Sequence, residues 1–411
     1  MRIVCVGAGP AGLYFAILSK LRDPAAEVTV LERNPRGVTY GWGVVFWDDL
    51  MHGLRHGDPV SAASIESGAN QWHDQEVHVG DAKPAHMGGY GYSIGRALLL
   101  DILTRRAEAL GVDVRFDQVV DDAAIDSDFS DADLVVAADG VNSRLRARHE
   151  DDFGTTVDSA SNYYIWLGTH KLFDVFTFAF EKTAAGWVWL HGYQFDDTTS
   201  TCIIECSPET WKGLRLDTLD TDEGIALLEG VFARELGGNK LINQTGPNAK
   251  TSWLRFNDVT NRRWWHGRVA LMCDAAHTTH FSIGSGTKLA IEDAVGLDRA
   301  MRAHQDVPAA LAAYERDRAT AVAERQGSAR SSTAWFEHVD SHIDTDPTRF
   351  AYSLRTRRDG KTAGGVSFLL HRATQYRAGR LGRRLISSTK RKLRPPAPPQ
   401  AAEQTPVDAT R

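Results

Sequence analysis

The chain has 411 residues, of which 42% are hydrophobic and 24% charged, and its formal net charge is −6 at pH 7. This length can bury a full core and predicts two or three domains, while the negative charge disfavours a general nucleic-acid binder. No uninterrupted apolar run reaches the roughly 18 residues of a membrane span, and the glycine-rich stretch from Gly7 to Gly12 breaks the apolar N-terminal segment that would otherwise resemble a signal peptide. We therefore expect a cytoplasmic protein with no membrane partner.

The first segment predicts a strand, a turn, a helix and a second strand. Arg2–Val6 is a short apolar run, Leu13–Leu21 has helical spacing, and Glu27–Arg33 alternates as a half-buried strand does. Between the first strand and the helix lies GAGPAG, residues 7–12, which we call the glycine loop. A glycine motif in this context indicates a dinucleotide site more strongly than the same letters would elsewhere.

Each glycine of this loop has a separate physical purpose. Gly7 allows a tight turn, Gly9 lets a pyrophosphate approach the backbone, and Gly12 lets the helix pack close to the strand. The helix N-terminus adds free N–H groups and partial positive charge. Glu32 follows twenty residues after Gly12 and is placed to accept hydrogen bonds from an adenosine ribose. The motif leaves FAD and NAD open, and a glycine turn without a ligand is the alternative.

The next elements include a second loop at the end of a strand. Leu98–Leu110 predicts an amphipathic helix, and Val112–Phe116 and Asp131–Gly140 predict strands. The second of these strands ends in Asp139-Gly140, and Ser143 and Arg144 follow at a predicted helix start. We call residues 139–144 the DG loop; taken alone it is a weak motif, because strand–Asp–Gly turns are common.

After about Gly154 the composition changes to β-branched and aromatic runs separated by turns, which predicts an antiparallel sheet. Its expected strands are Asn162–Thr169, Phe176–Thr183, Gly186–Phe195 and Ser200–Cys206. Beyond the sheet we expect a helix closed by glycine at Glu223–Gly238 and a strand leading into a turn at Gly267–His277. Two further helices are expected at Ala290–Arg302 and Val307–Gln326.

Residues 272–286, MCDAAHTTHFSIGSG, allow two interpretations. Cys273, Asp274, His277 and His280 are all metal-ligand types, but an HxxH pair on a glycine-rich turn lacks a third ligand at regular helical spacing. Alternatively, a strand ends at Asp274, and glycines open a helix whose N–H groups face a cofactor. The same reasoning disfavours zinc at Cys202 and Cys206, which share a strand face without a second cluster. The four cysteines show no disulfide framework.

Together, the three loops resemble the group A FAD-dependent aromatic hydroxylases, which carry a glycine motif, a DG loop and a GD loop in this order. The resemblance covers about residues 1 to 355. Two departures stand out: Cys273 occupies a position that is usually Gly, and Lys288 one that is usually Asn, in a loop that also lacks the usual proline. These departures point to a narrower group, as do two further segments, YGWGVVFWDD (40–49) and NYYIWLGTHKLFDVFTFAF (162–180). These features are similar to those of the salicylyl-CoA 5-hydroxylase and anthraniloyl-CoA monooxygenase branch. The tryptophan-derivative hydroxylase of violacein assembly is similar as well.

The resemblance implies an α/β (α+β) fold, in which a Rossmann-like FAD-binding domain holds an inserted antiparallel β-sheet substrate domain and is followed by C-terminal helices. The expected divisions are residues 1–155 and 255–330 for the two parts of the FAD-binding domain and 156–254 for the substrate-domain sheet. Residues 331–394 are expected to form a helical, basic segment, and residues 395–411 a disordered tail. A monomer and a homodimer both remain open.

FAD is the cofactor that the resemblance implies, with no metal, and NADH or NADPH is the transient reductant. One dinucleotide motif suffices, because this class manages without a second such unit for NAD(P)H. The residues expected to hold FAD are Gly7, Gly9, Pro10, Ala11, Gly12, Glu32, Arg33, Trp42, Val44, Val45, Arg96, Asp139, Asp274, Gly284, Gly286, Thr287 and Lys288.

The implied reaction is hydroxylation of an aromatic ring by O2 through a flavin C4a-hydroperoxide. The cofactor carries this chemistry, so the protein must place the ring, exclude water and accept a phenol or aniline proton. His280, then His191 and then Tyr92 are the candidate acceptors. For each histidine, the alternative is a hydrogen-bonded structural residue.

The substrate class stays open at this point. An aromatic acyl-CoA of the salicylyl-CoA type is the first hypothesis, and a free or carrier-bound aromatic is the second. A flavin dehydrogenase without oxygen insertion and a non-enzymatic FAD-binding module are the competing classes. Nine Lys or Arg lie between residues 371 and 394. They form either a solvated basic face or a site for the phosphates of CoA. Replacing Arg383 and Arg384 by Ala would test the second hypothesis.

Overall fold

The structure is a computed structural model that describes residues 1–120, 127, 129–244, 252–343, 346–358 and 365–375. Its strands are β1 Arg2–Val6, β2 Glu27–Leu31, β3 Gly43–Phe46, β4 Asn70–Trp72, β5 Gln75–Val79, β6 Ala85–His86, β7 Gly91–Gly95, β8 Asp113–Arg115, β9 Leu134–Ala137, β10 Thr155–Thr169, β11 Phe176–Thr183, β12 Gly186–Gln194, β13 Ser200–Cys206, β14 Leu241–Ile242, β15 Leu254–Asn261, β16 Trp265–His266 and β17 Val269–Leu271.

The helices alternate with these strands in the first part of the chain and dominate the last part. They are α1 Pro10–Arg22, α2 Asp48–Gly57, α3 Pro59–Gly68, α4 Arg96–Ala109, α5 Arg144–Arg148, α6 Glu150–Phe153, α7 Pro208–Gly213, α8 Thr221–Val231, α9 Ala233–Leu236, α10 Gly286–Ala303, α11 Val307–Glu337, α12 Asp340–Ile343, α13 Pro347–Thr356 and α14 Gly365–Ala373. Two 3₁₀ turns, Cys273–Ala275 and Phe281–Ile283, precede α10.

One sheet sets the position of all three predicted loops. Its strand order is β16-β17-β9-β1-β2-β8, with β17, β9, β1, β2 and β8 parallel. From β1 the chain continues outward to β2 and β8, and it then returns to the other side of β1 to form β9 and β17. The strand order therefore reverses between β1 and β9. In open α/β sheets, ligands bind beyond the carboxyl ends of the strands at such a reversal. The sheet is buried against α1, α4 and α10.

A larger sheet forms the second layer of the molecule. Its order is β14-β10-β13-β12-β11-β5-β6, and β15 pairs with β10. The four predicted strands are confirmed and pair antiparallel in the order β10, β13, β12, β11. The sheet is not antiparallel throughout, because β5 joins β11 in parallel. One of its faces packs against α11 and α13, and the other against α7, α8 and α9.

The predicted fold class is confirmed, but several predicted elements differ from the structure. The expected helix 223–238 divides at Phe232 into α8 and α9, because the backbone leaves the helical region there. The last long helix continues past Gln326 to Glu337, because its buried face continues with Ser332, Trp335 and Phe336. The short strands and helices between residues 43 and 95 were not predicted, because their runs are too short for a periodic signal.

The domain divisions expected from sequence remain a prediction. The strand β10 begins at residue 155 and β15 at residue 254, so each spans an expected division, and α11 continues past residue 330. Of the segment 331–394, residues 344–345, 359–364 and 376–394 lie outside the described residues, as does the tail 395–411. Among the helices of the described residues, none has the length and apolar character that crossing a membrane requires.

Candidate functional site

The three loops meet at one edge of the parallel sheet because they follow three neighbouring strands. Gly7 follows β1, Asp139 follows β9, and Asp274 follows β17. Arg146 on α5 joins two of the loops, since its guanidinium donates to the carbonyls of Ala275 (3.2 Å) and Val141 (2.6 Å). Sequence reasoning missed this arginine, because an Arg two residues past the DG loop carries no motif of its own.

The glycine loop has the close contacts that its sequence predicted. Gly7 has φ +107°, and a Cβ there would lie 2.2 Å from the carbonyl oxygen of Ala138. A Cβ on Gly12 would lie 2.2 Å from the carbonyl oxygen of Gly7. Gly9 is the N-cap of α1, Pro10 is the first residue of that helix, and Ala11 is buried behind it. The turn is therefore compatible only with glycine at positions 7 and 12.

A first cavity of about 330 Å³ lies beyond the ends of these strands. Gly7, Gly9, Glu32, Arg33, Arg96, Asp139 and Asp274 all line it. Glu32 accepts hydrogen bonds from Ala8 N (3.0 Å) and Asn34 N (2.9 Å), so its carboxylate is fixed at the cavity wall. Arg33 is exposed. Arg96 is held in place by a hydrogen bond that its Nε donates to Thr39 Oγ1 at 3.1 Å.

Asp139 shows that this cavity is suited to a polar ligand. Its Oδ2 accepts from Arg144 N at 2.9 Å, but its Oδ1 is buried without a hydrogen-bond partner among the described residues. Burial raises the pKa of this carboxyl. Buried polar atoms are normally paired, so Asp139 Oδ1 is placed to accept a hydrogen bond from a hydroxyl or amide of a bound ligand.

A second cavity of about 410 Å³ continues from the first. Arg96, Val141, Asn142 and Asp274 belong to the walls of both, so a long ligand can occupy the two together. Of the predicted cofactor residues, Pro10, Val44, Val45, Gly284, Gly286 and Thr287 line the second cavity. The helix α10 begins there, and its N-cap, Ser285, makes no side-chain capping bond, which leaves N–H groups for a ligand.

Aromatic side chains from the larger sheet, together with Phe281 of the second 3₁₀ turn, make up the far wall of the second cavity. They are Tyr164, Trp166, Phe176, Phe178, Tyr193, Phe256 and Phe281. Burial raises the pKa of Tyr164 to about 12, so its hydroxyl stays protonated. Flat apolar walls with few polar groups are typical of a pocket for an aromatic ligand.

Cys273 stands at the junction of the third loop with β17, and its backbone is unusual. Its φ is +55°, in the left-handed region that favours glycine. The departure from the family noted above therefore falls at a position where the fold still requires a glycine-like conformation. The Cys273 side chain lines the second cavity, and burial raises the pKa of its thiol.

The two loop histidines bond to different neighbours. His277 Nε2 lies 2.7 Å from Asp293 Oδ2, and that carboxylate also accepts from Cys273 N (2.9 Å) and from Arg318 Nε (2.8 Å). His280 Nδ1 instead lies 2.9 Å from Ser282 Oγ. The metal interpretation of this loop required the two rings to share one ion, which these separate partners do not favour.

Two residues expected at FAD have other contacts. Lys288 is buried, and its ammonium pairs with Asp49, and with Glu292 at 3.5 Å, which ties α10 to the start of α2. Trp42 packs its ring over the backbone of Gly168, where a Cβ would lie 2.8 Å from the indole. Neither side chain is among the residues that line the two cavities, so a direct role at FAD stays a prediction.

Among the candidate proton acceptors, His191 lies in the wall of the second cavity. It is on β12, and its Nε2 is 3.7 Å from Glu205 Oε2 on the neighbouring strand β13. Burial lowers the pKa of His191, and the Glu205 carboxylate offsets this only in part. The imidazole is therefore neutral near pH 7, as a base must be.

Glu205 is a fully buried acid that sequence reasoning missed. Burial by itself would raise its pKa, but the neighbouring His191 and His280 and the amide of Asn162 outweigh this and lower it. Its two oxygens accept from Asn162 Nδ2 (2.9 Å) and Trp189 Nε1 (3.0 Å). An acid inside an apolar strand, as in the sequence TCIIEC, is the signal that could have found it, because such residues are rarely buried without a partner.

His280 is held in one orientation by a chain of hydroxyls. Arg357 Nε donates to Ser332 Oγ at 2.8 Å, and Ser332 Oγ lies 2.8 Å from Ser282 Oγ. Because Ser282 N donates to His280 Nδ1 at 3.3 Å, that nitrogen is an acceptor; the Ser282 hydroxyl therefore donates to it as well and accepts from Ser332. His280 therefore carries its proton on Nε2. Burial lowers the pKa of His280 to about 4, so it is neutral as well.

Tyr92 lies on β7 and is buried; its hydroxyl is 3.2 Å from Asp48 Oδ1. It is not among the residues that line the second cavity. Of the three candidate acceptors, only His191 contributes to that wall, while His280 and Tyr92 contact other protein groups.

Comparison with known proteins defines the class first. Residues 1–326 match the family described as "FAD binding domain", and the chain therefore belongs to this family. Solved structures with 18% sequence identity share the fold. A 2-methyl-3-hydroxypyridine-5-carboxylic acid oxygenase has a TM-score of 0.63 over 86% of this chain and 95% of its own, and a probable FAD-dependent monooxygenase from Pseudomonas aeruginosa has a TM-score of 0.63 over 88% and 98%.

Closer relatives narrow the class. A salicyloyl-CoA 5-hydroxylase from a Streptomyces species is 40% identical over 87% of this chain and 70% of its own length. A protodeoxyviolaceinate monooxygenase from Chromobacterium violaceum is 32% identical over 87% and 95%, and a 3-hydroxy-4-methyl-anthranilyl-[aryl-carrier protein] 5-monooxygenase from Streptosporangium sibiricum is 33% identical over 87% and 94%. The chain is a FAD-dependent aromatic monooxygenase, and NAD(P)H is the reductant typical of its family.

Proposed function

We propose that the chain hydroxylates an aromatic acyl-CoA of the salicylyl-CoA type, with NAD(P)H and O2. One oxygen atom of O2 enters a ring C–H bond, the other leaves as water, and NAD(P)H supplies two electrons. When bound, FAD supplies the electron transfer and the oxygen activation. The observation that carries the proposal is the pair of joined cavities, one polar and glycine-walled, the other aromatic with a buried His–Glu pair.

In this proposal the first cavity holds the adenosine end of FAD. Glu32 is placed to accept from the ribose, Asp139 Oδ1 from a hydroxyl, and the N-terminus of α1 faces the pyrophosphate. Arg96 and Asp274, which line both cavities, lie where the pyrophosphate and the ribityl chain would pass. The N–H groups at the start of α10 would then face the ring system in the second cavity.

His191 is the residue that we propose to accept the substrate's phenol proton. It is neutral near pH 7, contributes to the wall of the aromatic cavity, and has Glu205 behind it to stabilise the imidazolium that forms. Removing the proton makes the ring more electron-rich, which favours attack on an electrophilic oxygen. The aromatic walls exclude water from this step.

A carrier-bound aromatic thioester is the second candidate, because one relative is named for an aryl-carrier protein substrate. Both candidates present an aromatic thioester to the same cavity. They differ only outside the ring, where the carrier is a protein in one case and CoA in the other.

A substrate panel tests the proposal. Salicylyl-CoA, anthraniloyl-CoA, salicylate and tryptophan are each added to the FAD-loaded protein with NADH or NADPH, and hydroxylated product is measured per reductant consumed. We expect about one product per reductant with a CoA thioester and little with the free acids. Equal turnover of salicylate and salicylyl-CoA, or peroxide release alone with every compound, would contradict it.

The proton-acceptor role has its own variant. We expect His191→Asn to lower kcat for the accepted phenolic substrate about 100-fold while FAD content stays unchanged. His170→Asn is the matched control, because His170 is exposed at the end of the larger sheet, outside both cavities. A His191→Asn variant as active as the control would remove His191 from the mechanism.

A further inference from the structure

Arg357 is a buried cation in the wall of the second cavity. It follows α13 directly, and three of its groups donate hydrogen bonds to neutral acceptors: Nε to Ser332 Oγ (2.8 Å), Nη1 to the carbonyl of Leu354 (2.5 Å) and Nη2 to the carbonyl of Ser282 (2.5 Å). A guanidinium has five N–H donors, so two are uncommitted within the described part of the chain. These bonds fix the guanidinium rigidly at the cavity wall.

The charge of Arg357 is not balanced by a direct partner. No carboxylate of the described residues lies within 4.0 Å of its guanidinium. The guanidinium carbon lies 5.7 Å from the centre of the Phe178 ring and 5.4 Å from that of Phe336, so π-faces flank the cation. A buried cation without a hydrogen-bonded anion is costly, and burial accordingly lowers the pKa of Arg357.

The other charged and titratable groups around Arg357 are few. Arg358, the next residue, lowers its pKa further, whereas Glu205 on β13 attracts it from a distance. His191 and His280 face it as well, and the positive charge of Arg357 lowers the pKa of both. Glu205 already accepts hydrogen bonds from Asn162 and Trp189, and it lies 3.7 Å from His191 Nε2. Elsewhere in the wall of this cavity, Arg96 and Arg255 add positive charge and Asp274 is an acid. The cationic side chains outnumber the acidic one, so the cavity has an excess of positive charge next to aromatic walls.

We propose that Arg357 recognises an aromatic substrate in its oxyanion form, pairing with the ionised phenol oxygen. This rests on the proposed function, since it assigns the substrate's ionisation state at the same cavity. The phenol O–H bond breaks, its proton goes to His191, and the electron pair stays on oxygen and is delocalised into the ring. Arg357 keeps all its own protons and supplies the opposite charge, which favours the ionised form of a nearby group.

Salicylamide is the probe for this assignment, because it has the phenol of a salicylyl group but no carboxylate. Its phenolate and phenol absorb at different wavelengths, so difference absorbance against pH gives the pKa of the bound phenol without any turnover. In the wild-type protein loaded with FAD, we expect that pKa to lie at least about one unit below that of free salicylamide. Benzamide, which has no phenol, should show no such transition.

Two variants assign the shift to one residue. Arg357→Gln should return the bound phenol's pKa to within a few tenths of the free value and weaken salicylamide binding about tenfold or more. Arg357→Lys should keep part of the shift, because it keeps the charge but not the planar fork. Arg355→Gln is the matched control, since Arg355 is exposed on α13 two residues earlier, and it should behave as wild type.

The outcomes separate this inference from the proposed function. A wild-type protein that does not bind salicylamide, or binds it with an unshifted phenol pKa, overturns the inference whatever the variants do. A shift that Arg357→Gln retains overturns it too; if this variant does not fold or lacks FAD, the wild-type pKa and Arg357→Lys decide. If the shift depends on Arg357 but no CoA thioester is hydroxylated, the oxyanion site stands and only the proposed substrate fails.

Discussion

The two joined cavities are built in different ways. The first is walled by backbone turns, at the glycine loop and the DG loop, which directly follow neighbouring parallel strands. The second is walled by side chains from segments far apart in the chain, such as Val45, Phe178, His191 and Arg357. A backbone-built site depends on a few local conformations, whereas a side-chain-built site depends on how several layers pack together.

This difference divides the chemistry of the enzyme. In the function proposed above, the polar, glycine-walled cavity holds a constant group, FAD, by hydrogen bonds that any chain with these turns can offer. In the same proposal the aromatic cavity distinguishes one substrate from another, and the buried His191, Glu205 and Arg357 are the groups that we expect to do so. A change in the first cavity should therefore abolish cofactor binding, while a change in the second should alter catalysis in a protein that still binds FAD.

The largest effect is expected in the backbone-built cavity. Gly12→Val places a Cβ 2.2 Å from the carbonyl oxygen of Gly7, a backbone atom that cannot move aside without opening the loop. We expect the purified variant to hold less than about a tenth of the wild-type FAD, measured by its flavin absorbance.

Gly230→Ala is the control for Gly12→Val. Gly230 is exposed on α8, and a Cβ there meets nothing within 4 Å, so we expect normal FAD content. If the valine variant kept its flavin, the close contact between Gly7 and Gly12 would not be what shapes the site.

A smaller and different effect is expected from the side-chain-built cavity. Glu205→Gln keeps the size of the side chain but removes the charge behind His191. We expect FAD content to stay normal and kcat to fall roughly 10- to 100-fold, because the imidazolium loses its stabilising anion. Glu209→Gln, an exposed acid on α7, is the matched control.

The pH profile of Glu205→Gln gives a signed test. The base must be unprotonated, so activity is lost as the pH falls through the pKa of His191, which burial holds below its usual 6.5. Glu205 raises that pKa, so its removal should move the acid limb of kcat to lower pH. An acid limb that stays in place or moves upward would argue against the His191–Glu205 pair as the base.

The smallest effect is expected at Cys273, which lines the second cavity. Its φ of +55° costs a side chain about 1 kcal/mol relative to glycine. Cys273→Gly should therefore raise the free energy of unfolding by up to about 1 kcal/mol in urea titrations, whereas Cys273→Ala, which keeps the strained backbone, should not. A glycine variant less stable than the alanine variant would mean that the thiol's packing outweighs the backbone strain.

Much of the fold followed from the sequence. The strand–turn–helix at Arg2–Arg22, the four strands of the aromatic segment and the helix start at Ser143 and Arg144 are all confirmed. The short elements between residues 43 and 95 escaped prediction, although β3 supplies Val44 and Val45 to the second cavity. These elements are stabilised by pairing with distant strands and not by their own periodicity.

The side-chain contacts of the site were harder to predict from the sequence. Lys288 was expected at FAD, yet it forms an ion pair with Asp49, 239 positions away. His280 was the first candidate base, yet the hydroxyl chain from Arg357 places hydrogen-bond donors at its Nδ1. Neither contact leaves a mark on the local sequence, because each partner belongs to a different element.

The sequence by itself determined where the chain must turn sharply after β1, β9 and β17, because glycine, aspartate and capping residues set the backbone locally. Only the tertiary structure decided which of the nearby polar side chains face the aromatic cavity and in which protonation state. His191, Glu205 and Arg357 are brought together there by a sheet and by the loop after α13, and their pKa values depend on burial and on each other's charges, which exist only once the chain has folded.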